Sequence, residues 1–202
     1  MKFILLISAS LFMVASVLAA TQGILVDRRD GEKYKTVKIG SQVWMAENLN
    51  FETQTSSCYD YEDYNCSEYG QLYSWSVAKK VCPSGWHLPS KAEFETLIES
   101  VGGMTAGLKL KSKTGWENNG NGSDDFGFSA LPGGVRYAGS GFCRVGEYTG
   151  FWSSTKSENH SSIDYNVPVV YIMYFVNDNV FTGNFESFNE YYVRCIKDRQ
   201  TE

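Results

Sequence analysis

Five cysteines behind an apolar leader limit this chain more than any other feature. They stand at positions 58, 66, 82, 143 and 195. Ahead of them, Met1-Lys2 opens into an apolar run from Phe3 to Leu18, broken only by Ser8, Ser10 and Ser16. Val17-Leu18-Ala19 then places small residues three and one positions before a cut. A basic start, an apolar middle and a small-residue exit predict a secretory signal peptide over residues 1–19. The run is long enough for a membrane anchor, but the Ala19-Ala20 exit and the polar Thr21-Gln22 flank favour removal. No later stretch has the apolar length of a span, so residues 20–202 are expected to be exported: secreted, periplasmic or at the cell surface.

In an oxidising compartment cysteines read as disulfide candidates. Cys58 and Cys66 bracket the acidic, tyrosine-rich stretch Tyr59-Asp60-Tyr61-Glu62-Asp63-Tyr64-Asn65, a natural short staple. Cys82 and Cys195 would then close most of the domain, worth roughly 4.7 kcal/mol for a loop of about a hundred residues on chain entropy alone. Five is odd, and Cys143, alone in a Gly-rich stretch, is expected to stay free or to pair between chains. No CxxC or Cys/His spacing suggests zinc, and the two histidines, His87 and His160, are far apart.

The remaining pattern predicts one α+β domain over residues 20–202, with two helices and many short strands. Residues 23–50 read as a three-stranded meander: Ile24-Leu25-Val26, Tyr34 to Ile39 and Gln42 to Met45, punctuated by Gly31 and Gly40. Residues 70–81 suit a short helix ending in Lys79-Lys80. A second helix, about residues 91–101, is the clearest local signal. Ser90 and Glu93 form a capping box, Phe94, Leu97, Ile98 and Val101 share one face, and Gly102-Gly103 stops it. Residues 117–125 are loop chemistry. Phe151 to Thr155, Val167 to Val176 and Tyr191 to Ile196 read as strands. The 167–176 run is apolar on both parities, which predicts a central strand covered on two faces.

The order of several long phrases carries a family resemblance. Val26-Asp27-Arg28-Arg29-Asp30-Gly31 is followed by Tyr34 to Gly40, then Trp44-Met45-Ala46-Glu47-Asn48-Leu49-Asn50 and Cys82-Pro83-Ser84-Gly85-Trp86-His87-Leu88-Pro89-Ser90. Gly127 to Gly134, Trp152-Ser153-Ser154-Thr155 and Val193-Arg194-Cys195 complete the series. Over residues 24–198 it resembles the Fibrobacter succinogenes major paralogous domain. The resemblance implies a C-type-lectin-like fold, two helices and a disulfide from the Cys82 region to Cys195. His87 to Glu95 is also similar to the helix entry of formylglycine-generating-type domains. The family implies no assigned activity. The approach to Cys195, Phe185 to Arg194, departs from the family's Lys and Gly-Phe-Ser phrasing, so the final strand is expected to differ locally.

Candidate site residues follow from chemistry. Asn119, Asn121, Asp124 and Asp125 offer hard oxygens for Ca²⁺, although an EF-hand's closing Glu is missing and the plainer reading is an Asx-bonded turn. Asn177-Asp178 invites comparison with the Trp-Asn-Asp calcium and sugar motif of C-type lectins. Val176 precedes it, however, and Pro168 lies between two valines, which cannot ligate through their side chains. Trp152, Tyr165, Tyr171 and Tyr174 are candidates for stacking on a sugar, against core packing as the alternative. His87 reads as a turn histidine and His160 as a solvated one. The Asp60–Asp63 cluster could attract cations but reads more simply as a solvated loop.

With a net charge of −5 and a pI near 5.2, nucleic acid is not an expected partner. Neither a Gly-x-Ser-x-Gly elbow nor HExxH occurs, and formylglycine-type oxidation would need a reactive pair from Cys143 and Cys195. The expected function is therefore a non-enzymatic, exported binding module without a cofactor, whose ligand is a polysaccharide or other glycan, or a cell-envelope protein. The alternatives are a surface protein that self-associates through Cys143 and a carbohydrate-active enzyme with a carboxylate pair.

Overall fold

The computed structural model describes residues 22–157 and 167–199. The expected signal peptide, His160 and Tyr165 lie outside them. The first sheet opens with the expected meander, β1 (Gln22–Val26), β2 (Lys33–Ile39) and β3 (Gln42–Met45), paired antiparallel. It is completed by two short strands from far along the chain, β12 (Ile196–Lys197) and β5 (Trp86–His87), in the order β1-β2-β3-β12-β5.

The second sheet runs β10-β9-β8-β6-β11-β4, with β7 paired to β6. Its strands are β4 (Tyr73–Ser74), β6 (Gly133–Tyr137), β7 (Gly141–Val145), β8 (Tyr148–Lys156), β9 (Pro168–Tyr174), β10 (Phe181–Asn184) and β11 (Glu190–Tyr191). β9 is covered on both faces, as its two apolar parities predict. Val169, Tyr171 and Met173 enter one apolar cluster with Trp44, Phe94 and Phe151, while Val170 and Ile172 enter another with Trp75, Trp152 and Tyr191.

Among the described residues there are four α-helices rather than two: α1 (Asp63–Tyr69), α2 (Trp75–Val81), α3 (Lys91–Ser100) and α4 (Ala106–Leu110). α3 falls where the sequence placed it, while α2 covers only the second half of the expected 70–81 helix, because Leu72 bridges to Ser57 and Tyr73–Ser74 pair as β4 with β11. The capping box of α3 is complete, with Ser90 accepting from the Glu93 N–H and the Glu93 carboxylate accepting from the Ser90 N–H. Gly102 stops the helix at φ +110°, where a side chain would be strained. α1 and α4 have only seven and five residues, and α1 buries only Cys66. Neither has room for an apolar stripe, so periodicity could not reveal them.

The 191–196 run is not one strand. Tyr191 pairs with Tyr73 in the second sheet and Ile196 with Trp44 and His87 in the first. Between them, the Val193 and Cys195 carbonyls accept from the Leu49 and Met45 N–H groups. The segment crosses from one sheet to the other. Both disulfides form as expected, Cys58–Cys66 and Cys82–Cys195, the second tying the end of α2 to this crossing. Cys143 is free.

Candidate functional site

The sheet crossing places Arg194 between the two layers, and Arg194 floors a cleft of about 520 Å³. Its guanidinium is fully buried and fans out across carbonyl oxygens. Nε donates to Asn48 Oδ1 at 2.6 Å, one terminal nitrogen to the Phe128 and Met45 carbonyls, and the other to the Ser129 carbonyl at 2.9 Å. Burial pulls its pKa down to about 9, so it remains a cation at neutral pH. A planar fork of five donors suits such a divergent set of acceptors better than an ammonium.

Four segments wall the cleft above this floor. β2 supplies Lys33 and Lys35, with Glu32 before it, and the turn after β3 supplies Glu47, Asn48 and Asn50. Glu47 accepts from the Lys35 backbone N–H at 2.6 Å and pairs with its ammonium at 3.3 Å. Asn48 ties two walls together, donating from Nδ2 to the Tyr69 carbonyl at the end of α1. Gly70 closes α1 at φ +78°, and a Cβ there would sit 2.9 Å from the Leu49 carbonyl, so only glycine permits the approach. The fourth is the 124–131 turn, where the Asp124 carboxylate accepts from Ser129 through both N–H and hydroxyl.

An exposed aromatic strip begins at the rim. Glu68 of α1 lines the cleft, and Tyr64 lies one turn before it on the same helix, where the Glu68 carboxylate raises the phenol's pKa. Before α1, Asp60 and Tyr61 take left-handed backbone at φ +54° and +60°, at about 1–3 kcal/mol each. The Cys58–Cys66 bridge, the Tyr61 N–H to the Cys58 carbonyl and Asn65 Nδ2 to the Tyr59 carbonyl hold that turn. Tyr61 and Tyr64 are 68% and 73% exposed. The Tyr61 ring meets Phe142 edge-on at 4.9 Å, and Arg136, paired with Glu190, stands over both rings.

The residues singled out from sequence scatter. Trp152 is fully buried and its indole N–H donates to the Tyr73 carbonyl at 2.7 Å. Tyr171 is buried, stacks on Phe94 at 4.2 Å and donates to the Lys91 carbonyl. Tyr174 is half-buried against Tyr148 and Phe181, and Asn177 and Asp178 follow it in one turn. There the buried Lys111 ammonium donates to the Tyr174 and Asn177 carbonyls, and Asn177 Oδ1 accepts from the Asn179 N–H. Of the four proposed calcium oxygen donors, Asn121 accepts from the Trp116 N–H, Asp124 holds Ser129, and Asn119 and Asp125 are exposed. Among the described residues no group of three or more His, Cys, Asp or Glu side chains is disposed to hold a metal.

Both ring nitrogens of His87 are engaged, Nδ1 with Asp198 at 2.6 Å and Nε2 with Glu93 at 3.0 Å. Burial lowers its pKa, but the two carboxylates outweigh that and hold it above the ordinary value. With neither nitrogen free, it fastens β5 to α3 and to the residue after β12. Cys143 packs its half-buried side chain against the apolar cluster of the second sheet, and burial raises its thiol pKa.

Sequence reasoning missed the cleft, although its signal was present. Asn48 and Arg194 lie inside phrases that carry the family resemblance, where they point to a kinship but not to a place. No helix among the described residues is long and apolar enough to cross a membrane. No curated protein and no solved structure matches the chain. Residues 37–197 match the Fibrobacter succinogenes major domain, and the chain belongs to that family.

Proposed function

We propose that the protein is an exported, non-enzymatic binding module with a C-type-lectin-like fold, and that it takes a glycan in the Arg194-floored cleft. The observation that carries this reading is the lining. Glu32, Lys33, Lys35, Glu47, Asn50 and Glu68 present hydrogen-bonding groups of both polarities around one concavity. Asn50 Oδ1 is buried in that wall without a protein donor. A polyhydroxylated ligand matches such a surface, because each hydroxyl both donates and accepts. The two disulfides support export. His87, with both nitrogens occupied, supports a role without catalysis.

The test is retention of the oxidised protein on cellulose, xylan and cell-envelope polysaccharide. Wild type is expected to be retained on at least one of them. Glu32→Ala and Lys33→Ala, both exposed, are expected to weaken retention at least tenfold without changing the melting temperature. Retention only by envelope protein would move the ligand class to protein. Release of reducing sugar would overturn the non-enzymatic reading.

A second reading, self-association, is favoured by one observation. β1 is an edge strand whose sequence, Gln22-Gly23-Ile24-Leu25-Val26, carries no charge, and Ile24 and Val26 are exposed. Natural edges are usually blunted by charge or proline. If copies pair through β1, Ile24→Lys converts the dimer to monomer in sedimentation, whereas Cys143→Ser leaves it unchanged.

A further inference from the structure

We infer that the Tyr61–Tyr64 strip is an outer subsite of the cleft, so that the ligand is an extended, neutral polysaccharide chain rather than a single sugar. The inference rests on the glycan reading of the cleft and says which glycans fit.

Three observations meet here. First, the strip is continuous with the cleft. Glu68 is a cleft wall, and Tyr64 lies one helical turn, about 5.4 Å, before it on α1. A ligand leaving the cleft past Glu68 meets Tyr64 one turn along α1, and Tyr61 stands in the turn that leads into that helix.

Second, the rings are presented rather than stored. Tyrosines usually bury most of their apolar area and leave only the hydroxyl wet. Tyr61 and Tyr64 instead stand most of their area in solvent on a turn cross-linked by Cys58–Cys66, and Phe142 and Arg136 brace the Tyr61 ring from one side. Exposed aromatic surface on a braced scaffold marks a contact site, and an aromatic face suits the C–H face of a pyranose.

Third, charge selects the occupant. Asp60, Glu62, Asp63 and Glu68 are all exposed around the rings. They repel a uronate or phosphate polymer and offer acceptors to the hydroxyls of a neutral one. A basic peptide would also meet this charge. Arg136 already stands over Tyr61 and Phe142 and occupies the place a peptide cation would take on those rings.

Two joined subsites make the second contact intramolecular, with gains of roughly 10²–10⁴ when the spacing fits. The experiment is calorimetry of the oxidised mature chain with neutral cellulose- and xylan-derived disaccharides and hexasaccharides, beside a galacturonate hexasaccharide and a lysine-rich peptide. For at least one neutral series, the hexasaccharide is expected to bind at least tenfold tighter than its disaccharide. The double variant Tyr61→Asn, Tyr64→Ala is expected to bring it down to the disaccharide's affinity. Asn tolerates the left-handed backbone at 61, and an unchanged melting temperature confirms folding. Equal affinities for short and long neutral chains, or a length dependence that survives the double variant, overturn the outer subsite and leave the cleft reading standing. Equal binding of the galacturonate chain overturns neutrality. Binding of the peptide alone, lost in the double variant, overturns both readings in favour of a protein ligand, and binding of nothing overturns both outright.

Discussion

Arg194 is the residue on which the two halves of the cleft depend. Its acceptors come from three places: Met45 at the end of β3, Asn48 in the turn after it, and Phe128-Ser129. Lysine keeps the charge but loses the fork, leaving some of these buried acceptors unpaired at about 1–3 kcal/mol each. Arg194→Lys is expected to lower stability by about 2–3 kcal/mol, roughly 4–12 °C in Tm for a domain of this size, and to weaken ligand retention with it. Arg29 gives a second case. It clasps the fully buried Asp27 carboxylate through Nε and a terminal nitrogen, and burial of Asp27 is outweighed by that clasp, so its pKa is lowered. Arg29→Met strands a buried anion and is expected to cost about 3 kcal/mol in denaturant unfolding. That is the low end for a broken buried pair, because Arg29 is itself 32% exposed. Neither residue's role was legible in the sequence. A buried arginine without a carboxylate looks like any surface arginine until the chain places it.

At the scale of elements, local signals were legible and non-local ones were not. The α3 capping box, the Gly102 stop and the double parity of β9 are written within ten or so residues each, and all three form as read. α1 was hidden because it is stabilised by its cross-link and by contacts of its end with Asn48, neither of which leaves an apolar period. The joint at His87 is likewise a meeting of distant residues, and it predicts a pH dependence. The imidazole pKa is raised in the fold, so its stabilisation is complete below the unfolded value near 6.5 and is lost as pH rises through the folded value. The Glu93 pKa is lowered, because its bonds to Ser90 and His87 outweigh its burial, so its contribution disappears on the acid side instead. Thermal melts of wild type across mildly acidic to mildly alkaline pH are expected to fall on the alkaline side. His87→Gln is expected to flatten that limb and to shrink the acid limb only in part, because the Ser90 bonds to Glu93 remain.

At the scale of the molecule, the two sheets are one cooperative unit because residues 190–197 belong to both. Tyr191 sits in one, Ile196 in the other, and Cys195 is bridged to Cys82 between them. Opening that bridge by Cys82→Ala and Cys195→Ala releases a loop of more than a hundred residues. The expected loss is about 4–5 kcal/mol on chain entropy, read as a drop in denaturant midpoint with a single transition retained. The family and the α+β class were legible at this scale because they rest on phrase order. The cleft was not, because its walls come from four separated segments. The same crossing has a consequence for how the protein is made. β12 fills the gap between β3 and β5, and β11 the gap between β6 and β4. The second sheet is not whole until residue 191 has been made, and the first not until residue 197. A growing chain thus has no finished sheet to close around until nearly all of the domain has been made.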